Sequence, residues 1–221
     1  MSATMSKMLL VLASLVLLVV SSSAAVITYG NLGDFQAQGT ITYNTNWDSF
    51  TGDFLYPSNP YTIGGVTYNS GDNLIIGPAS GYGNPQSMMF YNGWTPLTAS
   101  VETSPQTFDM LGFDTGVLSG DGSNSLVDLT ITTNLATYSY TGLSLPYATN
   151  PLQFEGFVTT SPSEYFTGFA LATENGTGWA AGVTDVQLGG TSAPVPEPTS
   201  LILLGTGLGG LALAAWRRKK A

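Results

Sequence analysis

The chain has 221 residues, with 14 acidic and 5 basic side chains and neither histidine nor cysteine. The basic residues lie near the ends, at Lys7 and in 217–220, whereas thirteen of the fourteen acids, all but Glu197, lie between Asp34 and Asp185. This distribution excludes from the central part a Ser-His-Asp triad, a cysteine nucleophile, a Schiff-base lysine and the usual ligands of zinc. Its uniform negative charge repels phosphate backbones, so we expect no nucleic-acid partner.

Residues 1–25 have the three parts of a secretory signal peptide. Lys7 supplies the positive start, an apolar run from Met8 to Val20 follows, and small residues end the segment. Ser23 and Ala25 suit the −3 and −1 positions of a cleavage site, and Ser22 with Ala24 is the alternative pair. The segment predicts an exported protein with an N-terminal signal helix. An N-terminal anchor that stays uncleaved is the other interpretation.

Residues 26–190 have the pattern of one all-β domain. Apolar and polar residues alternate between short turn segments, as in Val127, Leu129 and Ile131, which is the signal of half-buried strands. Two hairpins are predicted, one turning at Gly64-Gly65 and one turning near 133–136. We expect an antiparallel β-sandwich of the jelly-roll type without disulfides, and a closed barrel is the alternative.

Three tryptophans of this domain lie in or near segments rich in glycine and asparagine, which are typical of loops: Trp47, Trp94 and Trp179. Flat aromatic rings can stack on sugar faces while neighbouring amide and carboxylate groups bond the sugar hydroxyls. These three residues are therefore candidate sugar-binding residues. Burial in the core or packing under a loop is the structural alternative for each ring.

A possible calcium site is the turn that carries Asp121, Asn124 and Asp128, whose side chains offer three oxygen ligands around Gly122. The spacing differs from that of an EF-hand loop, and a solvated polar turn is the alternative. No cofactor other than one structural calcium is predicted. Two carboxylates also suffice for glycoside hydrolysis, but the sequence singles out no pair of acids for that reaction.

The C-terminal part has three segments in a defined order. Residues 191–200 form a proline-rich linker, 201–216 form an apolar run, and Arg217, Arg218, Lys219 and Lys220 make residues 217–221 a basic tail. The 16 apolar residues predict a transmembrane helix of about 24 Å, which is short for a bilayer core of about 30 Å. The basic tail belongs on the cytoplasmic side, so the β-domain lies outside that membrane.

This arrangement resembles the PEP-CTERM sorting signal of Gram-negative bacteria. The matching residues are the motif Val195, Pro196, Glu197 and Pro198, the glycine-containing apolar run and the basic tail. The resemblance implies processing by an exosortase, a membrane protease-transferase, and an association with exopolysaccharide and biofilm matrix. An ordinary proline-rich stalk before a membrane anchor is the alternative interpretation of the same residues.

Together these features predict an exported surface or matrix protein that is held at the membrane at least before processing. Its β-domain is expected to be non-catalytic, either structural or carbohydrate-binding, with extracellular polysaccharide as the candidate partner. A carboxylate-based surface glycosidase is the alternative function, and a structural module without any ligand is the third.

Overall fold

The computed structural model of the protein describes residues 25–47, 55–71, 73–77, 87–92, 95–118, 125–147, 151–173 and 180–191. Within these ranges the chain forms one short helix and thirteen strands. The helix is α1 (Leu32–Gln36). The strands are β1 (Val26–Tyr29), β2 (Gly39–Thr45), β3 (Tyr61–Ile63), β4 (Val66–Asn69), β5 (Asn73–Gly77), β6 (Met88–Asn92), β7 (Leu97–Val101), β8 (Met110–Leu118), β9 (Ser125–Thr133), β10 (Thr137–Leu145), β11 (Gln153–Thr159), β12 (Phe166–Thr173) and β13 (Ala180–Thr191).

The strands form two antiparallel sheets. Sheet A has the order β1-β11-β8-β13-β6-β5, with β2 also paired to β13, and sheet B has the order β10-β9-β12-β7-β4-β3. The two sheets have separate edges, so the protein is an antiparallel β-sandwich rather than a closed barrel. The all-β fold class predicted from the alternation of apolar and polar residues is confirmed.

The main core lies between the two sheets. In β9, buried and partly exposed residues alternate along the whole strand, and Val127, Leu129 and Ile131 are the buried set, as predicted. Phe113 of sheet A stacks on Phe169 of sheet B with 4.8 Å between ring centroids. The sandwich is therefore held together by apolar side chains from both inner faces.

Both predicted hairpins are present. Strands β3 and β4 are joined by Gly64 and Gly65, whose φ angles of 58° and 76° are the positive values that a type I′ turn requires. The second hairpin joins β9 to β10 and turns at 134–136.

The outer face of sheet A is partly covered by α1, which is too short to show a helical period in the sequence. The side chain of Asn31 caps the helix by accepting hydrogen bonds from the N–H groups of Gly33 and Asp34, at 2.8 and 3.2 Å. Phe35 points onto the sheet, is fully buried and packs on Phe154 at 5.4 Å between ring centroids. The helix thereby adds a second, smaller apolar layer outside the sandwich.

The signal segment 1–24, with Ser23, and residues 192–221 lie outside the described residues. The structure therefore does not test the cleavage site, the linker, the sorting motif, the basic tail or the transmembrane helix predicted at 201–216. Among the residues that the structure does describe, no helix is long and apolar enough to cross a membrane.

Candidate functional site

Trp47, the first candidate for sugar stacking, is a core residue. Its ring is fully buried and lies edge-on to Tyr68, with 5.6 Å between ring centroids. The indole N–H donates a hydrogen bond of 3.1 Å to the buried carbonyl of Val183 in β13. Trp47 is thus a core residue and not a sugar-stacking residue, which is the structural alternative given for it; it lies two residues after the end of β2 and packs in the main core although its sequence neighbours are polar.

Trp94 and Trp179 lie outside the described residues, but each is close in sequence to a strand that the structure describes. Trp94 follows the end of β6 at Asn92, and Trp179 directly precedes the start of β13 at Ala180. In the ladders, Gly182 pairs with Phe90 and Ala180 pairs with Leu118, so the ends of β6 and β8 lie beside the start of β13. We call this end of sheet A the β6–β8–β13 end.

The predicted calcium turn is only partly described. Asp121 and Asn124 lie outside the described residues, in the segment that follows β8 at the β6–β8–β13 end. Asp128 lies within β9 on the outer face of sheet B, where its carboxylate accepts a hydrogen bond of 3.1 Å from the N–H of Gly142. The described part of the chain holds no group of three or more histidine, cysteine or acidic side chains placed to bind a metal.

A pair of acids that the sequence did not single out lies on the outer face of sheet A. Asp114 of β8 is half-buried and pairs in register with Phe154 of β11 and with Thr184 of β13. Asp185, which follows Thr184, has a φ of 46° and lies at an irregularity where β13 contains one more residue than β8. Such a bulge re-aims side chains and allows two consecutive residues to oppose one residue of the partner strand.

The environment of this pair disfavours ionisation. Burial, and secondly the charge of Asp185, raise the pKa of Asp114 from 3.8 to about 6. Residues 26–190 contain no lysine, arginine or histidine, so no side chain of the domain can neutralise either carboxylate by an ion pair. Asp114 therefore holds a proton at a higher pH than an ordinary aspartate does, and its charged form gains no basic partner within the domain.

Two other acids, Glu155 and Glu164, are partly and fully buried, respectively, without forming such a pair. Burial raises the pKa of Glu155, although a hydrogen bond from Gln153 opposes the shift. Glu164 is fully buried, and its Oε1 accepts hydrogen bonds from Thr133 Oγ1 at 2.7 Å and from the Tyr138 hydroxyl at 2.8 Å. The contacts of Glu164 join the turn between β9 and β10 to residues 161–165, so its role is structural.

In a comparison with protein-family models, residues 194–219 match the PEP-CTERM protein-sorting motif. The chain carries a PEP-CTERM sorting signal. The match spans the motif at 195–198, the predicted transmembrane segment and most of the basic tail, so the resemblance noted in the sequence is confirmed. A PEP-CTERM signal marks an exported protein that is sorted at the cell envelope.

No curated protein matches this chain. Among solved structures, the CBM22-1 xylan-binding domain of Paenibacillus barcinonensis Xyn10C is similar with 12% identity and a TM-score of 0.40, covering 70% of this chain and 97% of that one. A variant of the family 29 carbohydrate-binding module CBM29-2 has 9% identity and a TM-score of 0.37, covering 65% and 100%. A second CBM29-2 variant has 10% identity and a TM-score of 0.31, covering 78% and 99%.

Proposed function

We propose that this chain is a PEP-CTERM-sorted component of the cell surface or extracellular matrix, and that its β-sandwich is a non-catalytic module that binds extracellular carbohydrate. The observation that carries the proposal is the sorting motif at 194–219, which directs the domain to the envelope. In this proposal an exosortase-like enzyme processes the chain near Glu197, and the apolar segment 201–216 holds it in the membrane before processing.

The β6–β8–β13 end is the proposed carbohydrate-binding region. Three segments leave neighbouring strands of sheet A at this end, and they carry Trp94, Trp179 and the acidic turn with Asp121. Aromatic rings with adjacent carboxylate and amide groups are the combination that binds sugars, because rings cover the apolar sugar face and polar groups bond its hydroxyls. The common origin of the segments supports one shared binding surface.

The test is binding of the full chain, in detergent, to the exopolysaccharide of its own host, measured by affinity electrophoresis with calcium and with chelator. We expect the parent to bind and the Trp94→Ala, Trp179→Ala double variant to bind roughly tenfold more weakly or worse, which corresponds to about 1.4 kcal/mol. Tyr56→Ala is the matched control, because Tyr56 is a 65% exposed aromatic residue next to Leu55, which pairs with Ile76 of β5 and not with β6, β8 or β13.

Each outcome of this measurement has a distinct meaning. If Tyr56→Ala weakened polysaccharide binding as much as the double variant does, this result would contradict the proposed binding surface. A parent chain that binds no host polysaccharide in either buffer would leave a purely structural role for the sandwich. Loss of binding in chelator alone would make the acidic turn, Asp121 to Asp128, the next target for substitution.

A carboxylate-based glycosidase is the second candidate function, and the acids Asp114 and Asp185 are the observation that favours it. A general acid needs a raised pKa beside an ionised partner, and Asp114 has a pKa of about 6 near Asp185. This function predicts release of reducing sugar from matrix polysaccharide by the parent and none by Asp114→Asn. An inactive parent chain would end the hypothesis.

A further inference from the structure

Two oxygen-bearing side chains lie side by side on the outer face of sheet A, Asp114 of β8 and Thr184 of β13, and Asp185 follows Thr184 in the bulge of β13. Thr184 is the direct ladder partner of Asp114, so the two side chains lie on the same face. The extra residue in β13 places Asp185 next to Thr184 opposite the same stretch of β8. The charge of Asp185 is one of the two causes of the raised pKa of Asp114, which agrees with this placement.

The hydroxyl of Thr184 is an independent sign that a ligand belongs here. The residue is 0% exposed, and its Oγ1 has no hydrogen-bond partner among the described residues. A buried hydroxyl that forms no hydrogen bond loses its bonds to water without replacement, so native structures rarely keep one without a reason. The neighbouring Thr115 shows the ordinary solution, because its buried Oγ1 donates to the carbonyl of Gly182 at 2.8 Å.

The sheet also changes its pairing at this point. On one side of β13 the ladder with β6 ends at Val183, and the ladder with β2 begins at Val186. Thr184 and Asp185 therefore lie at the junction of two strands that share one edge of β13. Bulges are common beside binding sites, because they place side chains where a regular strand could not.

We propose that Asp114, Thr184 and Asp185 form a binding site for one Ca²⁺ ion. Ca²⁺ accepts six to eight oxygen ligands in flexible geometry, and two carboxylates with one hydroxyl leave room for water and main-chain carbonyls. The ion replaces the positive charge that residues 26–190 cannot supply, and it gives the Thr184 oxygen a partner. With two charged ligands we expect a Kd of roughly 0.1 to 1 mM, the range of extracellular calcium modules.

This site differs from the turn that the sequence indicated, and the experiment separates the two. The full chain in detergent, freed of metal with chelator, is titrated with CaCl2 up to about 10 mM by calorimetry, about tenfold above the weakest expected Kd. We expect one ion to bind to the parent and to Asp128→Asn, and none to Asp114→Asn or Asp185→Asn. Thr184→Val, which has nearly the same shape, should bind more weakly by about tenfold or more.

Thermal unfolding of the same proteins distinguishes a metal ligand from a structural residue. In chelator, Asp114→Asn should melt at the same temperature as the parent or higher, because it removes repulsion between two carboxylates. In calcium, the parent should melt higher than the variant, since only the parent binds the ion. A structural role for Asp114 would instead lower the melting temperature of the variant in both buffers, and this outcome would overturn the proposal.

Two calorimetric results would also overturn it. One is a parent chain that binds no calcium over the whole titration. The other is calcium binding that survives in both Asp114→Asn and Asp185→Asn but disappears in Asp128→Asn, which would assign the ion to the turn at 121–128. The inference does not depend on the proposed carbohydrate-binding function, because neither result involves a polysaccharide.

Discussion

Asp114 shows how one residue can have two stable states in this sandwich. Its carboxyl group lies half-buried on the outer face of sheet A, under the charge of Asp185, in a domain whose residues 26–190 include no basic side chain. Either a proton or a metal ion can relieve the cost of its charge, and the proton does so only at mildly acidic pH. Calcium binding and protonation should therefore compete at this position.

The raised pKa of Asp114 predicts the direction in which stability changes with pH. Without calcium, the folded state holds a proton up to about pH 6, whereas the unfolded chain loses it near 3.8. The free energy of unfolding should therefore fall as the pH rises from about 4 to about 6. Glu155 of β11, whose pKa is also raised, contributes in the same direction.

The measurement is the melting temperature of the full chain in chelator at several pH values across this range. Asp114→Asn should flatten the decrease without abolishing the part due to Glu155. Asp128→Asn is the control, since it removes an acid from the outer face of the other sheet. An equal decrease in the parent and in Asp114→Asn would show that Asp114 is not the group that titrates.

At the scale of elements, the contact between α1 and sheet A depends on two glycines. A Cβ atom at Gly112 would lie 2.9 Å from carbons of Phe35 and Phe154, and a Cβ at Gly156 would lie 2.8 Å from carbons of the same rings. Real Cβ atoms do not approach so closely, so these positions are where β8 and β11 admit the aromatic layer under the helix.

We expect Gly112→Ala and Gly156→Ala each to destabilise the protein by about 1–3 kcal/mol, because the added methyl group overpacks the space filled by Phe35. Thermal unfolding measures the effect. Gly30→Ala is the matched control, since nothing lies within 4 Å of a Cβ at that position. If all three variants melted together, the helix would not be packed on the sheet as described.

For the whole molecule, the sorting signal and the folded domain are separate units with opposite charge. The C-terminal tail carries four basic residues, whereas the sandwich carries acidic side chains and no basic ones. The described strands end at Thr191, and the motif match begins at residue 194. Sorting and folding should therefore be separable by truncation.

Deletion of residues 195–221 is expected to abolish retention at the envelope or matrix while leaving the sandwich intact. Fractionation of cells, membranes and medium measures the location, and circular dichroism of the released protein checks the fold. Substitution of the surface acid Glu102 by glutamine is a control that should not change the location. Unchanged surface retention of the truncated chain would contradict the role of the sorting signal.

Much of the fold could be predicted because its signals are local. The alternation in β9 follows from the two-residue period of a strand, and the Gly64-Gly65 hairpin follows from the positive φ angles of its turn. The sequence left two interpretations open for Trp47, because its neighbours are polar although the residue itself is buried in the core. The five residues of α1 are too few for any helical period to appear.

The sequence by itself determined the fold class, the export and sorting of the chain and the lack of basic side chains in the domain. These properties are set by composition, by alternation over a few residues and by short contiguous motifs. Only the tertiary structure brought Asp114 together with Thr184 and Asp185, and only it buried Trp47 and Glu164. Ladder register and bulges decide which distant residues become neighbours, and they depend on the packing of both sheets at once.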